Sequence, residues 1–479
     1  MTGPRRSGHL PGMVYDEIAP LAPQIAAARL RPLGGLAFLD SAMRHATLGR
    51  YSYVAAAPFA AFTVDADGAM LDGNRLDGPP LAALDAVLAE HRQEAHPELP
   101  PFQGGAIGFI GYEFARHLET LAAPADLDPT KPSLRFDLYD TVLAFDHEAD
   151  RAFVIGARRA GESDDAPAQA RVARFRAALE TEAPALGTGA RPGGLDWRSN
   201  FFADDYRAAI QKVRDYILAG DIYQANVAQT FTARLPDAFD PFALYLRLRR
   251  TNAAPFGAYL EHEGLAIASS SPERFLKRDG DTVETRPIKG TAKRSADTEE
   301  DRALAEALLA SEKDRAENVM IVDLLRNDIS RICTAESVEV PVLCGLESYA
   351  SVHHLVSVVT GTLRPGRTAG DLIAATFPGG SITGAPKIRA MDIITEIENT
   401  ARGPYCGAIG YLGFDGAMDL NIAIRTVSFE AGTARLSAGG GITVLSDPAA
   451  EYEETFTKAT RVFAAFDADD GNGAKEGPR

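Results

Sequence analysis

The chain has 479 residues, 46% of them hydrophobic, enough to bury a large core and to exclude a disordered protein. Lys and Arg number 49 against 66 Asp and Glu, a formal net charge of −17, and that field repels phosphate backbones and anionic membranes. Nucleic acid and membrane are therefore not expected as partners, and an anionic small substrate would need a local basic or backbone-donor pocket inside this acidic body.

Residues 1–14, which include MTGPRRSGHLPGM, are basic but lack a following apolar run, so no signal peptide is expected and the segment reads as disordered. A first lobe at 15–160 carries short β-type runs at 51–55 and 141–145 and the glycine-punctuated FQGGAIGFIGYEF. Residues 161–198 form a helix and linker: 167–182 is amphipathic, and PALGTGARPGG after it is a Pro/Gly connector. From 199 to 467, helices at 204–219 and 299–326 alternate with strands at 407–414 and 421–429, and 468–479 reads as a disordered tail. The mixture predicts an α+β or α/β protein of two lobes with no fixed-period repeat. Cys333, Cys344 and Cys406 are too few and too irregularly spaced for a disulfide framework or a thiolate metal site. No run approaches the roughly 18 apolar residues of a membrane span, so a cytoplasmic location is expected.

Several constellations could carry chemistry. In DPAAEYEETFTKATR, Glu451, Glu454 and Lys458 fall at i, i+3 and i+7 of a helix pattern, so two carboxylates and an ammonium share one face. That face could hold a hard divalent cation and meet an anionic substrate, or be a solvated face with internal ion pairs. Upstream, Gly439, Gly440 and Gly441 sit between a β-type run and this helix, either as a backbone anion site or as a hairpin turn. Glu317 opens the apolar part of AENVMIVDLLRND and could add a third carboxylate; alternatively it is an exposed helix charge. In TRPIKGTAKR, Lys289 lies between Ile288 and Gly290: desolvated it is a nucleophile, exposed it is a turn lysine. FPGGSITGAPKIRAMDII is a Gly-rich loop opening a helix near Ala385 and Pro386, without the GxxxxGK[ST] of a nucleotide loop. Glu273 in SSSPERF is a positioned acid or a first-turn helix charge.

Taken in order, SSSPERF, PIKGT, AENVMIVDLLRNDISRIC, HHLVSVVTG, FPGGSITGAPKIRAMDII, YCGAIGY, LNIAIRT, AGGGI and EYEETFTKA resemble the successive motifs of the chorismate-binding enzymes, from about Ser199 to Phe466. In the first lobe, LDSAMRHATLGRYSYVAAAPF and FQGGAIGFIGYEF resemble the N-terminal region of the amine-forming members more loosely. The resemblance implies an α+β fold in which two β-sheets pack together with helices outside, the site lying in a cleft beside the sheets. It implies Mg2+ held by Glu317, Glu451 and Glu454, with Arg425, Lys458 and the N–H groups of Gly439 and Gly441 binding carboxylates. Tyr405 and Ser381 match positions lining the substrate, Glu273 the general acid that protonates the departing hydroxyl at ring carbon 4, and His354 the active-site histidine.

Two positions divide the family. Gln224 in GDIYQAN stands where the isochorismate- and salicylate-forming members carry the Lys that activates water, and a glutamine cannot be that base. Lys289 stands where anthranilate-forming members carry alanine, and resembles the nucleophile of the aminodeoxychorismate-forming ones. The implied activity is amination of chorismate to 4-amino-4-deoxychorismate for folate precursor synthesis, with ammonia from solution or from a separate glutamine amidotransferase subunit. A pyridoxal-dependent lyase would be another protein. The alternatives are anthranilate formation and, remotely, a non-catalytic chorismate or tryptophan sensor. The resemblance also raises a tryptophan pocket near Ser41, Tyr51 and Tyr53, where LDSA replaces the LLES of feedback-inhibited relatives, a departure that bears on inhibition.

Overall fold

Alternation along the strands sorts apolar residues onto two faces, and the computed structural model, which describes residues 7–467 apart from 11, 44–47, 183–192 and 350–351, shows where each face goes. Two large sheets pack face to face, and every strand pairing among the described residues is antiparallel. Between them lie Phe102, Ile107, Phe109, Tyr139, Leu260 and Ile409, all buried. The outer face of the first sheet is covered by the helices Pro23–Leu30, Ala166–Leu179, Pro241–Thr251 and Pro448–Phe466 through residues such as Leu30, Phe175, Leu248 and Val462. The second sheet is covered by Pro80–Glu90, Glu312–Ser330 and Ala369–Thr376 through Leu84, Val322 and Leu372. Each such side chain is worth about 1.5–3 kcal/mol on burial, so the layers hold each other in place.

The sheets run across the expected lobe boundary. In the first sheet the strands from before residue 160 occupy one half and those from after 198 the other, joined where Ala37–Asp40 pairs with Phe256–His262. In the second, Ala408–Gly413 pairs with Gly105–Ile110 at the same kind of junction.

Several expectations need correction. Within 1–14, Ser7–Leu10 is a strand paired with Met13–Ile18. The expected helix at 299–326 is two helices, Thr298–Ala310 and Glu312–Ser330, because the Ser311 side chain accepts the Asp314 N–H and starts a new helix. The strand expected at 421–429 breaks between Met418–Ile422 and Thr426–Glu430, where Arg425 takes a left-handed φ of 53°. The three glycines lie inside the strand Thr433–Ile442 and form no turn. Most of PALGTGARPGG and of the tail lies outside the described residues. Among the described residues no helix is long and apolar enough to cross a membrane.

Candidate active site

A cavity of about 360 Å³ opens between the ends of the sheets and the helix Pro448–Phe466, and it gathers residues from distant parts of the chain. Lining it are Glu273, Lys289, Glu317, His354, Ser381, Tyr405, Arg425, Gly439, Gly441, Glu451, Glu454 and Lys458. Gln224 stands just behind this wall: a Cβ on Gly441 would meet its Nε2 at 2.1 Å and Lys289 Nζ at 3.6 Å.

Lys289 belongs to the strand Ile288–Lys293, whose register against Val352–Thr362 slips between Ile288 and Thr291. Gly290, at φ 83°, takes the left-handed conformation of this bulge, and bulges re-aim side chains beside active sites. Lys289 is half-buried, with its exposed atoms facing the cavity, and Nζ donates to Ser381 O at 3.2 Å. Burial pushes its ammonium pKa down, against the pull of Glu317 and Glu273, which favours the neutral amine.

Glu273 follows Pro272 between the strands Leu265–Ser271 and Arg274–Asp279, so it is not a helix charge. Its backbone is pinned: its N–H donates to Ser271 Oγ at 3.2 Å, and its carbonyl accepts from Ile422 N at 3.0 Å. At 5% exposure, burial raises the carboxyl above its usual range, opposed by the Ser381 hydroxyl and by Lys289. Ser381, in the turn Gly380–Ile382, thus touches the acid with its side chain and the amine with its carbonyl.

His354 shares a 2.8 Å hydrogen bond between Nδ1 and Thr291 Oγ1, and burial with nearby Arg425 lowers its pKa to about 4, so the ring is neutral. The adjacent His353 instead bonds Ser348 and Asp301 and does not line the cavity. Arg425 is half-buried in its left-handed bend, a strained conformation of the kind that clusters at functional sites.

The glycine strand supplies backbone donors by its register. In the strand Gln224–Arg234 the N–H groups of Asn226, Ala228 and Thr230 bond away from the glycines, to Thr383, Glu398 and Asn200. Val227 therefore pairs with Gly440 through the ladder, and by alternation the N–H and C=O groups of Gly439 and Gly441 face the other edge. The neighbouring strand ends there, its last pair being Val427 with Leu436. Lys458 reaches that edge and donates to Gly439 O at 2.8 Å.

Gly440 lets the helix Pro448–Phe466 approach: a Cβ there would lie 3.2 Å from Glu451 Oε2 and 3.3 Å from Glu454 Oε1. Burial raises the Glu451 and Glu317 carboxyls. At Glu454 burial also works upward, but Lys458, Lys313 and Lys289 outweigh it and hold the carboxyl low. Among the described residues no three His, Cys, Asp or Glu side chains converge as a ready metal cage, so the three glutamates form a wall and not a closed site. An all-oxygen wall of this kind fits Mg2+, which takes one or two carboxylates and completes its shell with substrate oxygens and water.

Asn226, Thr291, Lys313 and Asp314 also line the cavity and escape a reading of the sequence. The signal for Asn226 is its place two residues after Gln224 on one strand face. Behind it, Arg402, 2% exposed, donates to both carboxylate oxygens of Glu398, to Asn226 O at 2.6 Å and to Ile382 O at 3.2 Å.

Ser41, Tyr51 and Tyr53 meet elsewhere, in a separate cavity of about 400 Å³ that also takes in Phe256, Arg274 and Tyr411. The two tyrosines stack at 6.3 Å, and Ser41 Oγ donates to Tyr51 O at 2.6 Å.

Comparison with known proteins agrees with this architecture. Aminodeoxychorismate synthase component 1 of Klebsiella aerogenes is 44% identical over 389 residues, 80% of this chain and 83% of that protein. Anthranilate synthase component 1 of Thermus thermophilus is 38% identical over 449 residues, 93% of this chain and 95% of that one. The crystal structure of anthranilate synthase component I from Streptococcus pneumoniae matches with a TM-score of 0.77 at 34% identity, covering 86% of this chain and 92% of that one. The family described as chorismate binding enzyme matches residues 40–464, reaching into the first lobe, and the chain belongs to that family.

Proposed function

We propose that this enzyme aminates chorismate at ring carbon 4, giving 4-amino-4-deoxychorismate, with Lys289 as a covalent nucleophile. The observation that carries the reading is the lysine amine placed in the cavity beside Ser381 O, with a buried acid, Glu273, sharing the same serine. The relatives include both aminodeoxychorismate and anthranilate synthases at comparable identity, so similarity alone does not choose between them. Residue 289 does.

In the proposed sequence the neutral Lys289 amine forms a bond to ring carbon 2 while Glu273 gives its proton to the carbon 4 hydroxyl, which leaves as water. Both conjugated ring double bonds shift away from carbon 2 as the electron pair leaves with the carbon 4 oxygen, and the new ammonium at Lys289 returns a proton to the Glu273 carboxylate. Ammonia then adds at carbon 4 and both double bonds shift back. Glu273 gives its proton to the lysine nitrogen so that it departs from carbon 2 as a neutral amine, and the new ammonium at carbon 4 can return a proton to Glu273. The two pKa displacements serve these roles: burial favours the neutral amine and the protonated acid in one site. The N–H groups of Gly439 and Gly441, with Lys458 and Arg425, receive the substrate carboxylates. Neutral His354 and Tyr405 complete the wall. Mg2+, held by Glu317, Glu451 and Glu454, would supply charge neutralisation for the ring carboxylate.

Ammonia is proposed to come from a separate glutamine amidotransferase subunit, a reading supported by the designation "component 1" of the relatives. The cytoplasm is the proposed compartment, in keeping with free Cys333, Cys344 and Cys406. The cavity at Ser41, Tyr51 and Tyr53 is the proposed place for tryptophan. The test is product identity: purified protein with chorismate, ammonium and Mg2+ is expected to form 4-amino-4-deoxychorismate, and release of pyruvate with anthranilate would overturn the reading.

A further inference from the structure

Gln224 and Asn226 project from one face of the strand Gln224–Arg234 and are 1% and 6% exposed, yet Nε2 and Oε1 of Gln224 and Oδ1 of Asn226 have no hydrogen-bond partner among the described residues. Buried polar atoms are normally paired, and one left unpaired in a cavity wall is available to bond a ligand. Asn226 is held rigidly at the backbone: its N–H donates to Thr383 O at 2.7 Å, and its carbonyl accepts from Arg402 at 2.6 Å. Only its carboxamide is free to serve the cavity, which it shares with Glu273, Lys289 and Ser381.

An acceptor oxygen needs a ligand that donates. The carboxylates of the substrate cannot, and they have their own donors in Gly439, Gly441, Arg425 and Lys458. The hydroxyl at ring carbon 4 is assigned to Glu273. What remains is the amine nucleophile, whose three N–H groups need acceptors while its lone pair points at the ring. Gln224 lies at the Lys289 end of this strand face, within 2.1 Å of the point beside Gly441 that is 3.6 Å from Lys289 Nζ. A neutral amide pair takes no proton, so it suits ammonia, which needs no base, and gives water no activation.

We propose that Asn226 Oδ1, with Gln224 beside it, forms the subsite that orients the incoming ammonia, making Asn226 a specificity-determining residue of the amination. The proposal rests on the amination reading above, but it concerns ammonia and not the ring carbon attacked.

The experiment is steady-state kinetics of Asn226→Ala and Asn226→Ser with ammonium chloride, chorismate and Mg2+, varying each substrate in turn. The expected result is a KM for ammonia raised at least about tenfold in Asn226→Ala, the scale of one lost buried hydrogen bond, with KM for chorismate within about twofold of the parent. Asn226→Ser, which keeps a smaller acceptor, is expected to fall between, and it carries the measurement if the alanine variant does not fold. A rise in KM for chorismate without one for ammonia would reassign the oxygen to the ring hydroxyl and overturn the proposal, as would no change in either. The product formed reports separately on the carbon 4 reading: anthranilate would overturn that reading and leave the ammonia test standing.

Discussion

Replacing Arg402 with Met tests how the cavity wall is held. The guanidinium is 2% exposed and Glu398 7% exposed, and the pair is closed by bonds of 2.6 and 2.9 Å to the two carboxylate oxygens. Two further bonds fix Asn226 O and Ile382 O, the second in the turn that carries Ser381. Methionine fills the volume and makes none of these bonds. It leaves Glu398 a buried carboxylate whose remaining partner is the Ala228 N–H, at 2.8 Å, and it strands both carbonyls. An uncompensated buried charge costs about 3–5 kcal/mol, a large part of the roughly 5–15 kcal/mol that keeps a protein folded. Arg402→Met is therefore expected to lower the urea midpoint and the Tm strongly. Arg402→Met combined with Glu398→Gln is expected to recover part of the loss, because the second change removes the stranded charge. Urea unfolding of the parent, the single and the double variant measures this. A single-variant loss below about 1 kcal/mol, or a double variant no better than the single, would refute the reasoning.

Other consequences follow from the same geometry. His354 has a folded pKa of about 4 against its ordinary 6.5, so the unfolded chain takes up the proton first and stability falls as pH drops from about 6.5 to about 4, by up to about 3 kcal/mol. Urea unfolding at about pH 7.5 and about pH 5 should show a smaller loss for His354→Asn than for the parent, and an equal loss in both would contradict the assignment. Chelation of divalent cations should abolish turnover and Mg2+ restore it, with Glu451→Gln requiring about tenfold more Mg2+ for half-saturation, as read from a titration of activity. Undiminished turnover after chelation would remove the metal from the account. Titration calorimetry of tryptophan should show binding in the parent and a loss of it in Ser41→Leu, which fills the second cavity; binding unchanged by that substitution would place tryptophan elsewhere.

What the sequence made legible depended on whether one element carried the feature. Glu451, Glu454 and Lys458 share a helix face because their spacing follows the helical period, and that was readable before any fold was known. The sandwich with helices outside came from family resemblance, since alternation alone does not say which strands become neighbours. Convergence across elements was beyond local pattern: Lys289 lies on a strand of the second sheet, Glu273 in the connection from a first-sheet strand to a second-sheet strand, Glu317 on a helix, and the glycines on the first sheet. The triple glycine was open between an anion site and a hairpin turn because glycine often marks a turn; it lies inside a strand, where the missing Cβ at Gly440 admits the carboxylates of a packed helix. The helix break at Ser311 was readable in principle, since Ser with Asp three residues later is a capping pattern. Asn226 was not, because only the cavity reveals that its oxygen lacks a partner.

The central claim is that Lys289 bonds to the substrate. Incubating the protein with chorismate and Mg2+ without ammonia, quenching, and mapping peptides by mass spectrometry addresses it directly. The account expects the peptide containing Lys289 to gain the mass of chorismate less one water, and expects the adduct to disappear on adding ammonium and to be absent from Lys289→Ala. No adduct on Lys289, together with full ammonia-dependent turnover in Lys289→Ala, would contradict it.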